Sequence, residues 1–218
     1  MPIYLIGVNH THAQSSTDGM PQDDIQKTYV ETLTKVIRDV GAEYVAEEYS
    51  KEAEEQTKRL SLTPKVASDN GAQHRFCDPH QEQRQQIRYL GHQELHQKIW
   101  MHDANWNISN EEAQAKAWAL AIGKYFERRE RFWLEKIADI KDKKVIFVCG
   151  EAHVDTFAKL LEAAGWQVQA TARGIGITDE DRRNVAMGLQ YLGDHPEILD
   201  EEWFENAVQQ EPDQESSF

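Results

Sequence analysis

Two stretches of the form G-x-x-H, Gly7-Val8-Asn9-His10 and Gly150-Glu151-Ala152-His153, each follow directly on an apolar run. In an open α/β sheet, ligands gather at the carboxyl ends of the strands. A glycine there lets the backbone turn, and a histidine a few residues on leans over the sheet edge. Glu47-Glu48 closes another apolar run, Tyr44-Val45-Ala46, and Asp78 closes His74-Arg75-Phe76-Cys77. Imidazole nitrogen combined with carboxylate oxygen is a donor set for a divalent ion such as zinc or manganese. An acid pair at the mouth of a buried strand, with no lysine or arginine beside it in sequence, needs a metal or a proton if it is buried. Each part also has a plainer reading. A histidine at a strand end commonly makes structural hydrogen bonds, Glu47-Glu48 suits a solvated turn, and Asp78-Pro79 suits a helix start with Asp as N-cap and Pro first.

Other arrangements fit less well. His10-Thr11-His12 places two imidazoles at i,i+2, the two-histidine bite of amidohydrolase barrels, but the 218-residue chain is short for an eightfold barrel and has too few strands. His92 and His96 lie i,i+4 without the glutamate of an H-E-x-x-H helix, so they read as a polar helix face. No G-x-S-x-G elbow and no P-loop occur, and Gly174-Ile175-Gly176 lacks the strand-to-helix context of a dinucleotide site. Cys77 and Cys149 are too few for a disulfide framework or a four-cysteine zinc site, and read as buried, reduced thiols.

The elements that must carry these residues alternate. Ile3–Val8 reads as a strand buried on both faces. Gln22 to Val40 has apolar residues at helical spacing with Gly41 as its stop, and Tyr44–Ala46 begins a second strand. Lys51 to Leu60 reads as a polar-faced helix, Thr63-Pro64 as a helix start ending near Gly71, and His74–Pro79 as a third strand. A polar helical stretch from His80 to about His102 follows. Behind the capping box Ser109-Asn110-Glu111-Glu112, helical periodicity runs from Ala113 to Ile140. Val145–Gly150 is the strongest strand; Ala152–Ala164 is a helix stopped by Gly165, and Trp166–Ala170 a further strand. This order predicts a three-layer α/β/α fold around a mainly parallel central sheet. We expect residues 1–176 to form the α/β domain, 177–210 a helical appendage with Leu189, Leu192, Ile198, Trp203 and Phe204 packed inward, and 211–218 a mobile acidic tail.

Net charge narrows the partners. The formal charge of −14 opposes attraction to nucleic acid or to an anionic membrane surface, and residues 170–218 hold 12 acidic against three basic residues. No apolar run approaches the ~20 residues of a bilayer span, and the opening Met1–Ile6 lacks the basic flank of a secretory signal, so a cytoplasmic protein is expected.

Paired G-x-x-H motifs after the first and the penultimate strands, a glutamate ending the second strand, and an arginine-bearing helix before the second motif resemble the TIKI/TraB-like family. That family belongs to the erythromycin esterase/ChaN-like superfamily. The likeness is closest over Glu127–Ile137 and Val145–Gly165, with Arg129 at the family's arginine position; it spans about residues 1–50 and 125–170, and is topological between them. Trp133 stands where the family often has methionine, the glutamate is doubled, and the middle region is shorter. The resemblance implies a metal-dependent protease or ester hydrolase, or, as in the ChaN-like branch, a haem-binding protein.

The reading that follows is a metal-dependent hydrolase of an amide, peptide or ester bond. His10, His153 and Glu47 or Glu48, with Asp78 as a further candidate, would hold a divalent ion (Mn, Zn or Co). Glu151 or the other glutamate of the pair would take the proton of the attacking water, and Arg129 would stabilise the oxyanion. A small-molecule or peptide substrate is expected. The alternative is a non-catalytic regulatory, haem- or ligand-binding protein on the same fold.

Overall fold

The computed structural model describes residues 1–9, 13–15, 20–102 and 108–200. Among these, β1 (Pro2–Val8), β2 (Gln14–Ser15) and α1 (Asp24–Val40) come first. The Asp23 carboxylate caps α1 by accepting from the Gln26 N–H, and Gly41, at φ 62°, closes it in the left-handed conformation that favours glycine. Then follow β3 (Tyr44–Glu47), α2 (Lys51–Thr57), β4 (Leu60–Ser61), α3 (Thr63–Asp69), β5 (Gln73–Phe76), α4 (Gln81–Gln86), α5 (His92–His102) and α6 (Asn110–Leu120). A π-helical turn (Ala121–Tyr125) joins α6 to α7 (Phe126–Ile137). The chain closes with β6 (Val145–Gly150), α8 (Val154–Ala163), β7 (Gln167–Ile175), α9 (Asp179–Asp194) and a 3₁₀ turn at Pro196–Asp200.

Five strands form one sheet in the order β5-β3-β6-β1-β7, with every neighbouring pair parallel; β2 and β4 make a separate antiparallel pair. Helices flank the sheet, giving the three-layer α/β/α fold expected from the alternation of elements. The chain divides into two compact units, Met1–His80 with Arg129–Arg182, and Gln81–Arg128 with Arg183 onward.

The first unit contains the sheet. On one face Ile6, Val8, Val45, Ile146 and Val148 pack with Tyr29, Leu33, Val36 and Ile37 of α1 and Val66 and Ala67 of α3. On the other, Phe147 lies 5.5 Å from Trp133 of α7 and 4.8 Å from Phe157 of α8, centroid to centroid. Continuous apolar runs in β1 and β6 are what a strand covered on both faces requires. In the second unit, His92 of α5 stacks on Trp118 of α6 at 4.3 Å. A Cβ at Gly188 would come within 2.4 Å of the Trp118 Cβ, so α9 needs glycine where it crosses α6.

Several boundaries differ from the sequence expectation. The helix from Lys51 ends at Thr57 and the chain turns through left-handed Lys58, because Leu60–Ser61 pairs with Gln14–Ser15; two-residue strands are too short to show periodicity. The third strand stops at Phe76. The run from His80 to His102 is two helices, broken at residues 87–91 where Arg88 has φ 52°; it lacks an apolar stripe that would bury a continuous helix. β7 extends to Ile175, past the expected end at Ala170. Leu189 is 53% exposed, whereas Ile198 is buried as expected. Positions from 201 on, including the expected end of the last helix and the acidic tail, lie outside the described residues. Among the described residues, no helix is long and apolar enough to cross a membrane.

Candidate functional site

The chain leaves adjacent strands β1 and β6 in opposite directions: α1, which follows β1, covers one face, and α8, which follows β6, covers the other. Their carboxyl ends therefore form a topological switch point, the place where open α/β sheets hold ligands. Both G-x-x-H motifs start there. His10 lies outside the described residues, as does His12.

The glycine of the first motif exists for the second. A Cβ on Gly7 would lie 2.1 Å from Glu151 Oε2 and 2.8 Å from Val154 Cγ2. Glu151 is held in that position from the far side of β1, accepting from Arg173 Nε at 2.7 Å and from the Gly174 N–H at 2.8 Å.

Glu47 and Glu48 part company because consecutive residues of a strand point to opposite faces. Glu47 turns toward α3 and β5, where it accepts from Ser61 Oγ, Thr63 Oγ1 and His74 Nε2, each at 2.7 Å. Glu48, 3% exposed, turns toward β6 and α7. Its Oε2 accepts from the Gly150 N–H at 2.7 Å, and its Oε1 pairs with Arg129 Nη1. Arg129 donates through Nε to Asp78 Oδ1 at 2.6 Å, and its guanidinium lies over the Trp133 ring at 5.1 Å. Trp133 Nε1 donates to the same Asp78 oxygen at 3.2 Å. The pair of acids is thus compensated by donors distant in sequence, a remedy that reading only neighbouring residues for a basic group does not find.

His153 joins this group. It is 4% exposed, with Nε2 3.6 Å from Glu48 Oε1 and Nδ1 2.8 Å from Glu130 Oε1. Glu130 is 1% exposed and also accepts from Thr156 Oγ1. The signal for Glu130, beside Arg129, lies in its position on the helix. Phe126, Glu130, Trp133 and Ile137 share the i, i+4, i+7, i+11 stripe of α7, and all four are buried. A single glutamate on an otherwise apolar stripe must have a partner.

The structure therefore brings together Glu48, Asp78, Arg129 and His153, adds Glu130 to them, turns Glu47 to the opposite face, and ties Glu151 to β7. Three carboxylates share this region with one guanidinium. Cys149, fully buried beside them, is no nucleophile: burial pushes its thiol well above its ordinary range, and Glu48 and Glu130 push it further. Two donors about 2.1 Å from a tetrahedral ion stand roughly 3.4 Å apart. The 3.6 Å between His153 Nε2 and Glu48 Oε1 matches that bite and is too long for a hydrogen bond. Among the described residues, no group of three or more His, Cys, Asp or Glu is placed to hold an ion, so a third donor would have to come from elsewhere. No protein family, curated protein or solved structure matches the chain.

Proposed function

We propose that the protein is a cytoplasmic metal-dependent hydrolase of an amide, peptide or ester bond, acting on a small-molecule or peptide substrate at the carboxyl edge of the sheet. The observation that carries this reading is the His153–Glu48 pair: a 3.6 Å bite between a nitrogen and an oxygen donor, with a buried carboxylate behind the imidazole. A carboxylate on the far nitrogen of a ligating histidine is the usual arrangement around protein-bound metals. His153 and Glu48 would hold the ion (Mn, Zn or Co) with His10 of the first motif, and Asp78 stands by through Arg129. When bound, such an ion polarises the scissile carbonyl and lowers the pKa of a water molecule toward neutrality.

The remaining residues take roles their contacts support. Arg129 forks between Glu48 and Asp78, so it positions a ligand and offsets the charge of two carboxylates, in place of the oxyanion role expected from its position alone. Glu47 faces Ser61, Thr63 and His74 on the opposite side from Glu48, which leaves Glu151, in the same G-x-x-H motif as His153 and with 23% of its side chain exposed, to take the proton of the attacking water. Free, buried Cys77 and Cys149 suit a reducing compartment.

Elemental analysis of protein purified without a histidine tag tests the reading. Near-stoichiometric Mn, Zn or Co is expected in the wild type, with loss in His153→Ala and in Glu48→Gln at retained fold. A wild type that neither carries nor takes up any of these ions refutes it.

A further inference from the structure

We infer that Glu47 is a positioning residue: the donors gathered on its carboxylate fix the register in which β3 ends, and so the face on which Glu48 emerges. Glu47 is 3% exposed, and its partners come from several elements. Ser61 of β4 and Thr63 of α3 donate their hydroxyls to Oε2, and His74 of β5 meets Oε1 through Nε2, each at 2.7 Å. The Tyr29 hydroxyl of α1 stands 2.7 Å from that of Thr63, and the Thr63 N–H donates to Ser61 Oγ at 3.1 Å. The backbone is fastened on both sides as well. The Glu47 carbonyl accepts from the Cys77 N–H at 2.9 Å, and the Glu48 N–H donates to the Val148 carbonyl at 2.8 Å. The strand ends Ala46-Glu47-Glu48-Tyr49, and a one-residue slip would turn every side chain to the other face. A slip one way puts Glu47 in the place of Glu48 and leaves Ala46 against the buried hydroxyls. A slip the other way puts Glu48 against the hydroxyls and leaves Tyr49 where the Gly150 N–H finds its acceptor. Of the three registers, the observed one satisfies both faces, and an unmet buried donor is costly.

That Glu48, so placed, is a metal ligand rests on the hydrolase proposal; its placement does not. The Gly150 N–H donates to Glu48 Oε2 at 2.7 Å, so the Gly150 amide proton reports where that carboxylate lies without any metal. Titration calorimetry with Zn²⁺ reports the affinity of the site. In ¹⁵N–¹H spectra of metal-free protein, Glu48→Gln should move the Gly150 amide upfield, because a neutral acceptor replaces a charged one. Glu47→Gln keeps an acceptor for the hydroxyls and should leave that amide near its wild-type position. Glu47→Leu should move it upfield, as Glu48 is drawn to the hydroxyls, and weaken Zn²⁺ by at least ~10-fold, the lower end of what a lost supporting partner costs. Val66→Ala, a cavity in the core on the Glu47 face, should lower Tm and leave both amide and affinity unchanged.

If Glu47→Gln moves the Gly150 amide more than Glu48→Gln does, the two roles are exchanged and the inference is overturned. A folded Glu47→Leu with the wild-type Gly150 amide overturns it too. Should Glu47→Leu fail to fold, the double variant Ser61→Ala/Thr63→Val, which strips Oε2 of its hydroxyl donors, must move the same amide in the same direction; an unmoved amide counts equally against the inference. A moved amide with unchanged Zn²⁺ affinity keeps the inference and removes Glu48 from the ligands. If the wild type takes up no Zn²⁺, Mn²⁺ or Co²⁺, the hydrolase proposal fails, and the amide shifts alone decide whether Glu47 sets the face of Glu48.

Discussion

Gly7→Ala tests whether the first G-x-x-H glycine is a packing requirement of the second motif. The added methyl would sit 2.1 Å from Glu151 Oε2 and 2.8 Å from Val154 Cγ2, both closer than van der Waals contact allows. The carboxylate is the flexible end of its side chain, yet it cannot yield freely, because Arg173 and the Gly174 N–H hold it at 2.7 and 2.8 Å. Giving up the backbone hydrogen bond costs about 1 kcal/mol, and the ion pair, with Arg173 42% exposed, no more than about 1 kcal/mol. Crowding against Val154 adds about 1–2 kcal/mol of overpacking. Gly7→Ala should therefore lose roughly 3–4 kcal/mol, a fall of about 10 °C in Tm for a chain of this size. Glu151→Ala alone should cost about 2 kcal/mol. In the double variant the methyl meets no carboxylate and the two bonds are already gone. The losses should then fall short of additive by about 2 kcal/mol. Urea denaturation of the four proteins, followed by tryptophan fluorescence, measures the cycle. Additivity within ~0.5 kcal/mol, or a Gly7→Ala protein as stable as wild type, would refute the account.

Arg129→Lys should cost about 3 kcal/mol or more, since an ammonium cannot fork between Glu48 and Asp78, while Arg131→Lys should stay within about 0.5 kcal/mol; comparable melting temperatures for the two would defeat the assignment. Cys77, its thiol pushed up to about 12 by burial, and Cys149, raised by burial and by Glu48 and Glu130, should both resist a thiol reagent such as DTNB in native protein and react once it is denatured; prompt native labelling of either would contradict their burial. His92, stacked on Trp118, has its pKa lowered by burial first and by His96 second. Its folded pKa lies below its unfolded value, so the stability it confers is complete above about pH 6.5 and is lost as pH falls through the folded value. His92→Phe keeps the stacking and should shrink the drop in Tm between neutral and mildly acidic buffer; an unchanged drop would exclude His92 as the titrating group.

Much of the scaffold was legible because its signals are local. The uninterrupted apolar runs of β1 and β6, the Asp23 cap and Gly41 stop of α1, and the Ser109 cap of α6, which accepts from the Glu112 N–H at 3.1 Å, all announce themselves within a few residues. What stayed hidden depends on distant partners. β2 and β4 exist only as a pair, and β7 continues past Ala170 through polar and small residues because β1 supplies its ladder as far as Val8, with two register shifts on the way. The π-helical turn at Ala121–Tyr125 interrupts a periodicity that reads as unbroken from Ala113 to Ile140. Gly123 within it would press a Cβ to 2.8 Å from Leu199 Cδ2, a contact visible only once α9 and the following 3₁₀ turn are in place.

The site shows the same division, and Glu47-Glu48 locates its origin. Both residues are acidic, both close the same strand, and nothing in the tripeptide before them distinguishes the two. Strand geometry dictates only that they face opposite ways; which face has the hydroxyls of Ser61 and Thr63 and which has Arg129 and His153 is decided by where α3 and α7 pack. On α7 the helical repeat carries the missing information. Arg129 and Trp133 are i,i+4 neighbours that share Asp78, and Glu130, one residue on, falls on the buried stripe with Phe126, Trp133 and Ile137. A charged residue on such a stripe is costly to bury alone. Its presence there implies a buried donor opposite, and β6 places the motif histidine His153 to meet α7, so the stripe on α7 and the G-x-x-H after β6 together specify the Glu130–His153 contact that neither specifies alone.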